Sequence, residues 1–250
     1  MSRSVVLVVA FGLLFGGVLA DATPTRAQDP VRQTRSVASF TEVTFAVPGT
    51  LHVRQGAPRS VELEWPGDTL DRIETVVDDG RLEVRTPEAS GVSGLLDWLL
   101  GGTEPDTAPI DVYVTMPTVE ALSVAGAGTL VAETPIESED LNLEVAGAGD
   151  IDAELSATRL DLTLAGAGGA TLRGRADAAN VECAGAGTVR APDLQVATAD
   201  VQTAGANTVE LHVTDRLTAE LAGAGSVRYH GQPTVEREIS GAGSVRPITE

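Results

Sequence analysis

The side chains that most often carry out chemistry are few and scattered in this sequence. The three histidines, His52, His212 and His230, are far apart, and there is neither an H-E-x-x-H metal motif nor a G-x-S-x-G nucleophile motif. The "GAG" segments do not continue into the G-x-G-x-x-G pattern that binds dinucleotides. The single cysteine, Cys183, is interpreted as a small buried hydrophobic residue. The sequence therefore predicts no catalytic residue, no metal site and no cofactor.

Acidic residues recur in the second half of the chain, and a stacked ladder of them is one arrangement that could bind divalent cations. The members are Glu144, Asp161, Glu182, Asp200, Glu220 and Glu236. Calcium-binding solenoids use a nine-residue G-G-x-G-x-D repeat, which only "GAGDID", starting at Gly147, partly matches. A solvated acidic face is the favoured interpretation. A polysaccharide-cleaving enzyme would need an aromatic-lined groove, and aromatic residues are only 3% of the chain.

These side chains are positioned by a repeat that fills the second half of the chain. The motif is "AGAG" at Ala125, Ala146, Ala165, Ala184 and Ala222, "AGAN" at Ala204 and "SGAG" at Ser240. Its period of about twenty residues is typical of stacked supersecondary units. Apolar and polar residues alternate on both sides of each motif, which indicates half-buried strands. The residues just before the motif are Val124, Val145, Leu164, Cys183, Thr203, Leu221 and Ile239.

Each motif is predicted to be a corner of the strand. Counting by twos from the apolar residue before the motif to the one after it places both glycines on the inward face, where the absence of a side chain would let the strand bend. The corner glycines are Gly126, Gly128, Gly147, Gly149, Gly166, Gly168, Gly185, Gly187, Gly205, Gly223, Gly225, Gly241 and Gly243. The outward alanines form a flat strip that either docks against a partner or merely suits a tight corner.

The repeat predicts an all-β fold, a right-handed parallel β-solenoid of about seven rungs. An antiparallel meander is the competing topology, but it would reverse the strand direction at each turn and would not need the same motif each time. Crossovers between parallel strands are right-handed in most proteins. Because like residues stack over like, the parallel solenoid is favoured.

The N-terminal third, residues 37–115, has strand patterns and is predicted to be a β cap on the first rung, since an open solenoid end is a bare sheet edge. Within it, Asp79-Gly80 is a strong hairpin signal. An insertion at 88–108 interrupts the strands. Its Leu95, Leu96, Trp98 and Leu99 side chains either fold back over the solenoid end or form an exposed apolar tip that meets a membrane or partner. The repeats occupy 116–248.

The first residues indicate export. Arg3 precedes an apolar run from Val5 to Leu19, and small residues follow, so residues 1–22 are predicted to be a signal peptide, with cleavage after residue 27 as a second possibility. Residues 23–36 are polar and are interpreted as a flexible lead. No integral membrane segment is expected after cleavage. With one cysteine, an internal disulfide is ruled out.

The charge restricts the partners. The 36 acidic residues exceed the 17 basic ones, all of them arginine, and the net charge is −19. A field of that sign repels nucleic acids and anionic membrane surfaces. The absence of lysine fits both a high-salt habitat and an arginine-biased genome, and the sequence leaves these two explanations open.

Together, the two halves resemble a secreted bacterial family, the "putative auto-transporter adhesin, head GIN domain". The resemblance rests on "GTLHVRQG", "LDRIETVVDDGRLEV", "IDVYVTMPTVEALSVAGAGTLVA" and the run of motifs, and it covers Val37 to about Ile248. It implies a β-helical fold and an envelope or extracellular location. That family typically shows Gly-Ser-Gly-Asp, whereas here an aspartate follows the motif only at Asp150.

The function expected from these observations is that of a secreted, non-enzymatic adhesion or binding scaffold at the cell envelope. Its partner would be an envelope protein or a polysaccharide. Two alternatives are a carbohydrate-active β-helix enzyme and a structural envelope protein without a ligand. The enzyme would require a cleft with at least two neighbouring carboxylates.

Overall fold

The computed structural model describes residues 31–65, 73–86 and 109–248, and within these ranges every regular element is a β-strand. The strands are β1 (Val31–Arg35), β2 (Glu42–Ala46), β3 (Gly49–Gln55), β4 (Ser60–Trp65), β5 (Glu74–Asp78), β6 (Arg81–Arg85), β7 (Ile110–Met116), β8 (Ala121–Gly126), β9 (Thr129–Ala132), β10 (Ile136–Gly147), β11 (Asp150–Gly166), β12 (Gly169–Gly185), β13 (Thr188–Gly205), β14 (Thr208–Gly223), β15 (Ser226–His230), β16 (Thr234–Gly241) and β17 (Ser244–Pro247).

The repeats stack in parallel, with equivalent residues of successive turns paired. Strand β11 pairs with β10 on one side and with β12 on the other, so that Leu162 lies between Leu143 and Val181. The parallel pairing continues through β13 and β14 to β15, β16 and β17, with register shifts at Thr171/Arg173, Ala191/Gln195 and Val196/Thr198. This confirms the β-solenoid and rules out the antiparallel meander for the repeats, because no strand reverses direction between turns.

A single core runs through the column. The inward positions of each rung hold Val, Leu, Ile and Ala side chains that are almost fully buried, among them Leu143, Leu162 and Val181. Each such Val or Leu contributes roughly 1.5 to 3 kcal/mol. Because the side chains of a strand alternate between faces, the same strands present polar residues to solvent.

The N-terminal third does more than cap the column. Strand β2 lies between β6 and β8, and β3 lies between β7 and β9, all in parallel. The chain thus begins its parallel stacking with β2 and β3, adds β6 and β7 on one side, and then continues on the other. Only β4, β5 and β1 run antiparallel to their neighbours, and these strands form the cap.

The predicted hairpin joins β5 and β6. The two strands pair antiparallel, and both turn residues have positive φ, 46° at Asp79 and 79° at Gly80. A two-residue turn with both φ values positive is the type that matches the twist of a hairpin, and Asp-Gly favours it.

The segment predicted to be a flexible N-terminal lead contains a β-strand in the structure. Residues 23–36 were expected to be flexible, but Val31–Arg35 form β1, which pairs antiparallel with β4. The exposed edge of β4 supplies backbone partners for this polar segment, which its side chains alone did not indicate. The predicted signal peptide (1–22) and the insertion 88–108, with Leu95, Leu96, Trp98 and Leu99, lie outside the described residues.

Candidate binding surface

The first glycine of each motif and the alanine after it form a continuous exposed ridge along the column. In each rung the alanine between the two glycines donates its backbone N–H to the carbonyl of the first glycine one rung below, as Ala167 does to Gly147 at 2.8 Å. The same bond repeats at 2.8 Å for Ala148, Ala186, Ala206, Ala224 and Ala242. The ridge carries no charged side chain and is held by its own backbone, so it is a preorganised surface.

The first glycine of each motif is exposed and has a left-handed backbone. At Gly166 φ is +129°, and a Cβ there would lie 2.1 Å from the carbonyl oxygen of Gly147. Both the backbone conformation and the contact with the rung below therefore require glycine. The prediction that this glycine points inward is wrong, because a positive φ breaks the simple alternation of sides along a strand.

The second glycine of each motif is the one that points inward. Gly149 and Gly168 are buried, and a Cβ at Gly168 would lie 2.7 Å from a methyl carbon of Val145 in the preceding rung. The missing side chain thus leaves room for the apolar residue that precedes the motif one rung below. A Cβ at Gly168 would also meet the carbonyl oxygen of Gly149, so burial and close packing against the rung below, rather than backbone freedom, explain this glycine.

Asn207 replaces the second glycine in one rung, and its side chain is fully used. Its Oδ1 accepts a hydrogen bond from the N–H of Gly187 at 2.9 Å, and its Nδ2 donates to the carbonyls of Cys183 and Ala204 at 3.1 and 3.0 Å. The residue is 1% exposed. No role was predicted for Asn207, although the replacement of the second glycine in "AGAN" marks this position in the sequence.

A groove of about 430 Å³ runs beside the ridge at the C-terminal half of the column. Small residues form its floor, and polar residues two positions earlier in each strand form its wall. The floor residues are Ala165, Ala184, Ala204, Ala222 and Ser240, and the wall residues are Thr163, Glu182, Gln202, Glu220 and Glu238. The groove crosses successive rungs, so its shape fits an extended ligand.

The six predicted acidic residues do not form one stacked ladder, because the register places Glu144, Glu182 and Glu220 in one column and Asp161, Asp200 and Glu236 in another, with a neutral residue between successive acids. These acids are only partly neutralised. Glu144 accepts a hydrogen bond from Ser123 at 3.1 Å, and Glu236 lies 3.5 Å from Arg216. Within the described ranges, no arginine lies within ion-pair distance of Glu182, Glu220 or Glu238. In the same ranges, no group of three or more His, Cys, Asp or Glu side chains could hold a metal ion.

The three histidines and the cysteine do not form one cluster in the described ranges. His52 stacks on Tyr113, with ring centroids 4.6 Å apart, and its Nδ1 is 3.3 Å from Glu133. His212 and His230 lie together on neighbouring strands, 6.2 Å apart, at the other end of the column. Cys183 is buried, and this burial raises the pKa of its thiol to about 11. None of these groups forms a nucleophile-and-base arrangement.

The part of the chain that the structure describes includes no helix long and apolar enough to cross a membrane.

Residues 39–233 match the model of a family described as "putative auto-transporter adhesin, head GIN domain". No functionally curated protein is significantly similar to the chain in sequence. The fold is shared with solved bacterial structures. A "putative adhesin" from Bacteroides fragilis has a TM-score of 0.77 at 20% identity, covering 88% of this chain and 97% of that one.

Two structures from Parabacteroides distasonis are also similar in fold. A "putative adhesin" has a TM-score of 0.68 at 20% identity, covering 88% of this chain and 98% of that one. A "putative lipid binding protein" has a TM-score of 0.67 at 17% identity, covering 88% of this chain and 97% of that one. At these identities the likeness establishes the architecture.

Proposed function

Because this chain belongs to the family described as "putative auto-transporter adhesin, head GIN domain", we propose that it is an exported, non-enzymatic adhesion or binding scaffold of the cell envelope. The signal-peptide pattern at residues 1–22 supports export. The partner is an envelope protein or polysaccharide that lies along the column.

The groove beside the ridge is the observation that carries this proposal. Its floor is made of alanines at equivalent positions of successive rungs, Ala165, Ala184, Ala204 and Ala222, which the parallel register holds in a line. Rungs repeat at about 4.8 Å, so an extended partner meets the same chemistry at each step. A rigid, repetitive and shallow surface suits recognition of a polymer better than enclosure of a small molecule.

The experiment compares retention of envelope material by the purified protein and by a variant with the groove filled. Ala204→Trp places a large ring on the exposed floor. Asp177→Trp adds the same ring at an exposed corner outside the groove lining and is the matched control. Retention of envelope protein or polysaccharide should fall by about tenfold in Ala204→Trp and stay unchanged in the control. Equal retention by all three proteins would refute the groove as the contact surface.

One observation favours a second candidate, a carbohydrate-active enzyme. Glu220 and Glu238 are register neighbours and both line the groove, and paired carboxylates about 5 Å apart are the catalytic groups of retaining glycosidases. Reproducible turnover of a polysaccharide panel that Glu220→Gln or Glu238→Gln abolishes would establish this candidate and remove the first. The absence of any aromatic residue from the groove lining supports the scaffold.

A further inference from the structure

Most arginines of the described ranges are already engaged. Many pair with carboxylates across rungs, as Arg173 does with Asp152 and Arg54 with Glu133, both at 2.8 Å. Others donate to a hydroxyl or a backbone carbonyl. Three exposed arginines of the described ranges have neither an ion pair nor a side-chain hydrogen bond. They are Arg190, Arg228 and Arg246.

These three arginines lie in a single row along the column. Arg190 is the register partner of Glu210, Glu210 that of Arg228, and Arg228 that of Arg246. With strands about 4.8 Å apart, Arg228 and Arg246 are direct neighbours, and Arg190 lies two strands from Arg228. We call Arg190, Arg228 and Arg246 the arginine row. The arginine row comes after the motif in the sequence of each rung, whereas the wall of the groove comes before the motif. The two surfaces are therefore different.

The arginine row keeps a net positive charge, because its three guanidinium groups have one carboxylate among them, that of Glu210. Like charges directly opposite each other on a sheet repel, and Arg228 and Arg246 are such a pair. The acid within the row, Glu210, is engaged by His230, whose Nε2 lies 3.2 Å from its Oε1. In a chain of net charge −19, this locally positive row is therefore an exception, and a bound anion would relieve the repulsion between its guanidinium groups.

Hydrogen-bonding side chains flank the row on both sides. Two residues before it runs a hydroxyl ladder in register, Thr188, Thr208, Ser226 and Ser244. Two residues after it lie the half-buried imidazoles of His212 and His230. The large hydrophobic side chains exposed in the described ranges, Val31, Val76 and Ile239, are on other strands. The surface thus offers charge and hydrogen bonds but no apolar anchor.

We propose that the arginine row is a binding site for a carboxylated polysaccharide that lies along the column. Guanidinium groups recognise carboxylates through paired hydrogen bonds, a polymer supplies carboxylates at intervals along the row, and the flanking hydroxyls and imidazoles bind sugar hydroxyls. The proposal rests on the scaffold function above and names a ligand class for it at a second surface.

The overall negative charge selects among anions rather than preventing binding. At physiological ionic strength charges are screened over about 8 Å, so the neighbouring guanidinium groups dominate at contact. A nucleic acid, with a phosphate at every nucleotide, is repelled along its whole length by the remaining carboxylates. A carboxylated glycan is repelled in the same way, but it also carries free sugar hydroxyls along its length, which hydrogen-bond to the flanking hydroxyl and imidazole groups and which the deoxyribose units within a DNA strand lack.

The test measures binding of polygalacturonate to the purified protein at physiological ionic strength, with its fully methyl-esterified form as the uncharged ligand. The double variant R228Q/R246Q removes the adjacent pair of the row. The control R175Q/R216Q removes the same amount of charge from another part of the column. Arg175 donates a hydrogen bond to Ser156, and Arg216 forms an ion pair with Glu236. Polygalacturonate affinity should fall by about tenfold or more in R228Q/R246Q and by less than about threefold in the control.

Four results would overturn the proposal: no binding of polygalacturonate by the wild-type protein, equal binding of the methyl ester, equal losses in the two double variants, or equal binding of a single-stranded DNA oligonucleotide. Thermal melting of the free variants checks that both fold.

Retention of envelope material separates the two proposals. If R228Q/R246Q keeps that retention and polygalacturonate does not bind, the scaffold function stands and the arginine row does not. If polygalacturonate binds to the row but envelope material is not retained, the arginine row stands as a binding site and the scaffold function does not.

Discussion

Oδ1 of Asn207 accepts a hydrogen bond from the backbone N–H of Gly187, 2.9 Å away in the rung below. In the other rungs a glycine occupies the position of Asn207, and in most of them an apolar residue one rung below lies against it, as Val145 does against Gly168. Below Asn207 that residue is Cys183, which is smaller than the Val and Leu at equivalent positions and whose carbonyl accepts from Asn207 Nδ2 at 3.1 Å. The substitutions at 183 and 207 thus compensate each other within one corner.

Asn207→Asp should destabilise the protein far more than Asn207→Gly. A buried aspartate loses both donors and sets its oxygens against two carbonyls, which costs about 3 kcal/mol. Glycine only returns the corner to the form that its neighbours have, at a cost of about 1 kcal/mol. Urea unfolding of both variants gives the two free energies. Equal losses would show that the amide hydrogen bonds are not what holds Asn207.

Gly166→Ala should cost about 3 kcal/mol or more, because the new Cβ would lie 2.1 Å from the carbonyl oxygen of Gly147 on a backbone with φ of +129°. The control is Ala167→Ser at the exposed neighbouring position, which should change the free energy of unfolding by less than about 0.5 kcal/mol. Chemical denaturation compares the two. A tolerated Gly166→Ala would mean that the corner can shift away from the rung below.

Cys183 should resist thiol reagents in the folded protein. Burial raises the pKa of its thiol to about 11, so at pH 8 roughly one molecule in a thousand carries the reactive thiolate. Labelling with a chromogenic disulfide should be very slow under native conditions and complete in denaturant. A cysteine placed on the ridge, Ala167→Cys in a Cys183→Val background, should react quickly, and rapid native labelling of Cys183 would contradict its burial.

The same raised pKa makes stability depend on alkaline pH. The folded protein holds the Cys183 proton up to about pH 11, whereas an unfolded cysteine releases it at about pH 8.5. The stabilising contribution is therefore complete below the unfolded pKa and is lost as the pH rises through this window. Cys183→Val should flatten this part of the stability curve, measured by urea unfolding between pH 8 and 11. An unchanged slope would assign the pH dependence to other groups.

Asp140 should titrate at a lower pH than an ordinary aspartate. The hydrogen bond from the Arg159 guanidinium, aided by its charge, lowers the pKa of the Asp140 carboxyl. Since the folded pKa is lowered, any stability from this exposed pair is present above the unfolded pKa and is lost as the pH falls through the folded one. In Arg159→Gln, NMR titration should show the Asp140 pKa rising toward about 3.9. Arg175→Gln, which removes a contact with Ser156, should leave it unchanged.

The repeat made the architecture predictable. Residues such as Leu143, Leu162 and Val181 recur at one period and alternate with polar residues, and a chain that buries one face of each turn can satisfy that pattern by stacking equivalent turns in parallel. The Asp79-Gly80 hairpin was predictable for a local reason, because its turn type depends on two residues alone.

The order of the N-terminal layers was not predictable in the same way. Strand β2 lies between β6 and β8, and this arrangement depends on backbone pairing between segments far apart in sequence. Likewise, the polar strand β1 forms because β4 offers an edge with which it can pair. The side chains of β1 alone do not indicate a strand.

At the surface, the division between sequence and structure is clearest. The sequence by itself determined which positions are apolar, where the corners fall and that the chain is strongly acidic, because these follow from residue type and period. Tertiary structure decided that Gly166 is exposed whereas Gly168 is buried, and that Arg190, Arg228 and Arg246 of the described ranges share one row without an ion pair. A positive φ reverses the expected side of a residue, and charges become neighbours through the register of strands that stack one above another.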